Sequence, residues 1–272
     1  MTEPSAAKLV VQNLRKSFRS QRSTEPIQVF DDISFEVHAS EFISLVGPSG
    51  CGKTTFLRIL DGLIPRDEGE ILLNGKAVIK PGPDKGFVFQ DSSLLLWRTV
   101  IDNVILGLEI QGIDKRTARQ KAIDYITLVG LKGFEQHYPR ELSGGMQQRV
   151  NLARALIVEP EILLMDEPFA SLDAQTREIM QAELLKMWRH TRKTVIFVTH
   201  QIEEAIYLSD RVVVFSARPA KIREIVKVDL PRPRSLTVKR SQKFLDLADH
   251  VWTLIQEEVL KSMGREQAEG VL

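Results

Sequence analysis

The stretch that most constrains this chain is Gly47-Pro48-Ser49-Gly50-Cys51-Gly52-Lys53-Thr54-Thr55. It fits the pattern Gly, four residues, Gly-Lys-Ser/Thr. The apolar run Phe42-Ile43-Ser44-Leu45-Val46 before it reads as a buried strand. Phe56-Leu57-Arg58-Ile59-Leu60 after it reads as a helix with an apolar face. A loop that wraps phosphate must turn tightly and offer bare backbone amides. Gly47, Gly50 and Gly52 permit both, since glycine tolerates positive φ and carries no side chain. The amides and dipole of the following helix favour negative charge. Lys53 suits the β- and γ-phosphate oxygens, and the Thr54 hydroxyl suits Mg²⁺. A plain glycine-rich turn with a surface lysine would not need that strand and helix on either side.

Composition sets wide bounds. The chain has 272 residues, 43% hydrophobic and 27% charged, ordinary for a globular protein with a large core. Lys and Arg number 37 against 36 Asp and Glu, for a formal charge of +1, so nothing global argues for a nucleic-acid partner. The single cysteine excludes an intramolecular disulfide and fits a reducing compartment. Cys51 stands beside a helix N-terminus, which lowers thiol pKa values, but it reads more simply as a small residue filling the loop. No apolar run approaches a membrane span, and Met1-Thr2-Glu3-Pro4-Ser5 lacks the layout of a signal peptide. Any membrane role would come through docking onto an embedded partner.

Along the chain, Leu9-Val10-Val11, Gln28-Val29-Phe30 and Ile33-Ser34-Phe35-Glu36-Val37 suggest three strands, close enough in sequence for antiparallel pairing. A polar loop, 19–26, lies among them, with Phe18 at its edge. That aromatic is either a platform for a planar base or part of the core, and the core is favoured on position alone. Glu70-Ile71-Leu72-Leu73 runs into the hairpin pair Asn74-Gly75. Gly86-Phe87-Val88-Phe89 forms a short strand ending at Gln90. Residues 91–159 read as helical, with Asp114 as an N-cap and a further helix after Ser143, and look like a subdomain inserted in an α/β core. Ile162-Leu163-Leu164-Met165, Val195-Ile196-Phe197-Val198 and Arg211-Val212-Val213-Val214-Phe215 resume the strands, with helices near 174–190 and 201–208. This alternation argues for a parallel sheet with right-handed crossovers. Pro231-Arg232-Pro233-Arg234 reads as an extended basic break. An amphipathic tail helix over 236–263 follows, its stripe of Phe244, Leu247, Val251, Leu254, Ile255 and Val259 packed on the body.

Ligands of open α/β sheets bind beyond the carboxyl ends of the strands. Four apolar strands here end in the phosphate loop, Gln90, Asp166-Glu167 and His200. If those strands are parallel neighbours, the four sets converge on one nucleotide. Phosphoryl transfer is governed by positioning and electrostatics. Asp166 is suited to hold Mg²⁺, directly or through water. Glu167, one residue further on, is suited to polarise the attacking water. His200 would hydrogen-bond the γ-phosphate, and Gln90 would sense metal and water.

Leu142-Ser143-Gly144-Gly145-Met146-Gln147-Gln148-Arg149 resembles the signature of ATP-binding cassette (ABC) proteins. The order of phosphate loop, glutamine loop, signature, paired carboxylates, Ser171-Leu172-Asp173 and His200 resembles that family over about residues 8–230. The resemblance implies a P-loop NTPase fold with an N-terminal antiparallel β subdomain and an inserted α-helical subdomain. It implies ATP and Mg²⁺ as ligands, an ATPase domain over 1–230 and a separate extended segment and helix over 231–272. Two copies would face head to tail around two nucleotides, each γ-phosphate meeting Lys53 of one copy and the Ser143-Gly144-Gly145 helix tip of the other. Asp173 would cross near the facing phosphate loop, and Phe18 would stack on adenine. Phe18 replaces the commoner tyrosine, and Met146 stands where many members carry glutamine.

Leu95-Leu96-Trp97-Arg98-Thr99-Val100, the run 210–219 and Val228-Asp229-Leu230-Pro231-Arg232-Pro233-Arg234 resemble ATPases of nitrate, sulfonate and taurine importers, although those usually carry proline at the place of Leu96. This implies a subunit peripheral to the cytoplasmic side of the inner membrane, bound to permease subunits and served indirectly by a substrate-binding protein. Residues 94–97 would line a cleft for a permease helix, or Trp97 would belong to the core. A DNA-repair relative would need a long coiled coil between loop and signature, and a translation factor would need two cassettes. A lipid-exporter ATPase shares the cassette and differs only in segments such as 210–234.

Overall fold

The computed structural model describes residues 7–19 and 26–269, with side chains through residue 262. The expected loop 19–26 lies mostly outside the described residues. In chain order the elements begin with β1 (Ala7–Phe18), β2 (Ile27–His38), β3 (Phe42–Val46), α1 (Lys53–Asp61), β4 (Glu68–Leu73), β5 (Lys76–Ala77) and β6 (Lys85–Val88). The helices α2 (Val100–Val104), α3 (Leu106–Ile110), α4 (Lys115–Leu128) and α5 (Gly144–Leu156) follow. Then come β7 (Ile162–Asp166), α6 (Ala174–Thr191), β8 (Thr194–Val198), α7 (Ile202–Leu208), β9 (Arg211–Phe215), β10 (Ile222–Lys227) and α8 (Gln242–Glu269). They fall into two compact units: residues 1–81 with 196–272, and residues 82–195.

In the first unit, β2-β1-β4-β5 form an antiparallel sheet. The two strands expected over 28–37 are one, β2, paired along its length with β1. Asp32 interrupts its alternation at φ 63°, and Asn13 opposite stands at φ 47°. The Asn13 amide donates to the Asp32 carboxylate at 3.0 Å, so a polar pair fills the irregularity and the strand continues beyond it. Asn74 (φ 50°) and Gly75 (φ 72°) make the expected two-residue hairpin between β4 and β5.

The unit's other strands run β10-β9-β3-β8. β3 is buried at all five positions and lies parallel to β9. Phe56 of α1 packs edge-on against Phe30 and Phe215 and stacked against Phe35. The antiparallel β10 was not expected from the sequence. Its pattern is largely half-buried, so it lacks the apolar run of its neighbours.

The basic break at 231–234 is an ordered cap, not a spacer. The buried Arg234 guanidinium donates to the carbonyls of Ile206, Tyr207 and Ser209 (2.7–3.0 Å), and to those of Val228 and Leu230. Arg232 reaches the Leu208 carbonyl at 2.7 Å and the Asp210 carboxylate at 2.8 Å. The two arginines thus satisfy carbonyls that the end of α7 leaves without helical partners. The tail helix starts six residues later than expected, after a 3₁₀ turn over Leu236–Arg240. It buries Phe244, Val251 and Leu254, with Leu247 half-buried.

The second unit pairs β6 and β7 in parallel and carries the helices α2 to α6. Residues 91–99 are not helical, and the helices begin at Val100. Asp114, Ser143 and Asp173 each cap the helix that follows, their side-chain oxygens accepting from backbone N–H groups two to three residues further on. No helix among the described residues is long and apolar enough to cross a membrane.

Candidate nucleotide site

The phosphate loop leaves β3 at Val46 and enters α1 at Lys53. Gly52 stands at φ 113°, and a Cβ there would come within 2.6 Å of Val29 and 2.9 Å of the Phe30 ring, so only glycine lets the loop lie against β2. Ser49 and Gly50 form the exposed crest. The buried Lys53 ammonium donates to the Gly47 carbonyl at 2.9 Å and the Pro48 carbonyl at 3.1 Å, which holds it inside the loop. Cys51 is buried, and burial pushes its thiol pKa up, against the opposing charge of Lys53. The helix-terminus effect does not win, and the side chain fills space.

His200 follows β8, the neighbour of β3. The segment around His200 is fixed at three points. Thr199 N–H donates to the Leu45 carbonyl at 3.3 Å, Gln201 N–H donates to the Thr199 hydroxyl at 3.0 Å, and that hydroxyl donates to the buried carboxylate of Glu204. The His200 side chain is exposed beyond this clamp. Phe18 ends β1 at 39% exposure, with the Lys16 ammonium 5.1 Å from its ring centre, so it is a surface aromatic and not part of the core. Phosphate loop, His200 and Phe18 belong to the first unit.

In the second unit, Val88 of β6 pairs with Met165 of β7, so Gln90 and the Asp166-Glu167 pair emerge from neighbouring strand ends on the same side. Asp166 is buried. Glu167 is half-buried, with its backbone at φ 45°, a left-handed conformation uncommon outside glycine and opposed to a following proline's preference. The glutamine segment is bound to α5 by a ladder that sequence reading missed. Gln148 donates to the Gln90 carbonyl (2.8 Å), Asn151 to the Phe89 carbonyl (3.2 Å) and Arg154 to the carbonyls of Ser92 and Ser93 (2.8 and 2.9 Å). The spacing of three along α5 was the available signal, because it puts these polar residues on one face. Ser143 caps α5, its Oγ accepting from Met146 N–H at 3.4 Å, and is exposed with Gly144. Gly145 lies close to α6, where a Cβ would stand 3.1 Å from the Thr176 methyl. Hydrogen bonds from Thr176 and Gln175 hold the exposed Asp173 carboxyl below the usual range.

The buried Asn103 was also missed. It accepts from Leu95 N–H at 2.8 Å and donates to the carbonyls of Leu95, Arg98 and Thr99. The turn it organises presents Leu96 (67% exposed) and Trp97 (74% exposed) outward, which removes Trp97 from the core.

Thr54 and Asp166 fit magnesium by donor type, because that ion takes hard oxygen ligands and completes its shell with phosphate and water.

Comparison with known proteins places these features in a family. Residues 30–170 match the ABC transporter family. The chain is 54% identical over 256 residues to an uncharacterized ABC transporter ATP-binding protein of Methanocaldococcus jannaschii, covering 94% of each chain. It is 43% identical over 233 residues to the aliphatic sulfonates import ATP-binding protein SsuB of Bacillus cereus, covering 86% of this chain and 91% of that one. The ATP-binding cassette MJ0796, solved as a dimer in a post-hydrolysis state with ADP and Pi, matches at a TM-score of 0.71 and 30% identity, covering 82% of this chain and 100% of that one. The chain belongs to the ABC transporter family and is one of its ATPase subunits.

Proposed function

We propose that this ATPase drives an ABC importer of a small anion such as nitrate, a sulfonate or taurine, working as a head-to-tail pair of copies on the cytoplasmic face of a permease that a substrate-binding protein supplies. The observation that carries the importer reading is the likeness to sulfonate import ATPases across 86% of the chain. The outward Leu96-Trp97 pair, on a turn pinned by Asn103, supports a docking face for an apolar permease helix. We propose the same domain division as the sequence suggests, with the ATPase domain over 1–230, its helical subdomain over about 91–159, and 231–272 appended.

Within this reading the amides of residues 47–55 and Lys53 grip the phosphates. Thr54 and Asp166 hold the magnesium, which neutralises phosphate charge. Glu167 accepts the proton of the attacking water, His200 donates to a γ-phosphate oxygen, and Gln90 orders metal and water. The Ser143-Gly144-Gly145 tip of α5, with Ser143 and Gly144 exposed, faces the nucleotide of the second copy, and Asp173 lies near that copy's loop.

Phe18 stacks on adenine. Its replacement by alanine is expected to weaken ATP binding by about 1–2 kcal/mol, roughly five- to thirtyfold in a fluorescent-nucleotide titration. An unchanged affinity would remove the assignment. The importer reading is tested by purifying the chain with its membrane subunits into proteoliposomes. ATP hydrolysis should rise when a binding protein loaded with an alkanesulfonate, taurine or nitrate is added. Failure of any membrane subunit to co-purify, or hydrolysis indifferent to all three anions, would refute it.

A further inference from the structure

The turn between β9 and β10 carries Arg218, and three attachments hold it. Ser216 N–H donates to the Lys221 carbonyl at 2.9 Å, while Lys221 N–H donates to the Ser216 hydroxyl at 3.0 Å. Ala220 N–H donates to the Val29 carbonyl (2.7 Å) and Asp31 N–H to the Ala220 carbonyl (3.1 Å), fastening the turn to β2. Ala217 N–H donates to the Glu258 carboxylate of α8 at 3.3 Å. Glu258 is buried and held by Lys261 at 2.8 Å and Arg223 at 3.8 Å.

The result is a guanidinium set over the crest of the phosphate loop. Arg218 Nη2 lies 3.0 Å from where a Cβ on Gly50 would stand. Its charge reaches Cys51, on which it acts to favour the thiolate. Lys53 is engaged with loop carbonyls, whereas Arg218 has no hydrogen-bond or ion-pair partner among the described residues. A cation on a turn fixed at three points, adjoining the exposed Ser49-Gly50 crest and unpaired among the described residues, is arranged to meet an anion.

We propose that Arg218 is a nucleotide-binding residue, its guanidinium taking a phosphate oxygen of the polyphosphate held by the loop, and that tail helix α8 positions it through Glu258. The proposal rests on the nucleotide reading above and adds a residue and a role for the tail. Both belong to the same unit as the loop.

The test is a titration of the full chain with a fluorescent ATP analogue and Mg²⁺ at low and high salt. Arg218→Ala is expected to weaken binding about three- to tenfold at low salt and less at high salt, with Arg218→Lys between it and the parent. Glu258→Ala should weaken binding in the same direction but add nothing in the Arg218→Ala background, because the carboxylate acts only through the arginine. Equal affinity of Arg218→Ala and parent, while Lys53→Ala loses binding, would overturn the proposal and leave the nucleotide reading standing. Parent-like binding by Lys53→Ala would sink both. An equal loss from Glu258→Ala in either background would refute the tail's part.

Discussion

Glu167→Gln keeps ATP binding and loses turnover by about two to three orders of magnitude, the usual worth of a positioned general base. The carboxylate closes β7, one residue past buried Asp166, and its backbone is held at φ 45° before Pro168. Strain of this kind costs about 1–3 kcal/mol and persists where the surroundings dictate the direction of the side chain. Glutamine has the same length and meets the same backbone demand, so the variant changes charge and basicity while leaving shape alone. Phosphate release at saturating ATP reads the chemical step, and a fluorescent-nucleotide titration reads binding. A second signature is expected in gel filtration, where ATP should trap the variant as a dimer because it closes and cannot reset. Turnover within tenfold of the parent would remove Glu167 as the base.

Arg234→Ala is expected to destabilise the fold by about 3–5 kcal/mol, since it strips five buried carbonyls of a charged donor at once. Thermal unfolding should fall by roughly 8–15 °C. Burial pulls the guanidinium pKa down to about 10, so the group remains cationic at neutral pH and the cost of burying that charge is already part of the native fold. This makes Arg234→Met the sharper variant, because apolar replacement of a buried charge is sometimes neutral. If the carbonyls at the end of α7 need the donor, the methionine variant also melts early, and Arg234→Lys lies between because one ammonium reaches fewer of them. A methionine variant as stable as the parent would show that the carbonyls find other partners.

Local chemistry made much of the chain legible. Ser143, Asp114 and Asp173 announce helix starts because a cap needs only the next two or three amides. The phosphate loop is legible for the same reason, its turn being encoded by its own glycines. Trp97 was ambiguous because its exposure depends on Asn103, six residues away on a helix, folding the turn beneath it. Residues 28–37 were divided because Asp32 breaks the alternation, and only its partner Asn13 on the facing strand shows that pairing continues.

From its sequence alone this protein was determined to be a phosphate-loop α/β protein with an ABC signature, and each chemically competent residue was placed at a particular strand end or helix start. Those features are set by neighbours within a few positions, through periodicity, glycine conformation and capping. Tertiary structure alone decided that Arg234 ends a helix 26 residues before it, that α5 clasps the glutamine segment, and that Arg218 stands over Gly50. Each depends on groups brought together by burial from distant parts of the chain, and a hydrogen-bond partner chosen that way leaves no periodic trace along the sequence.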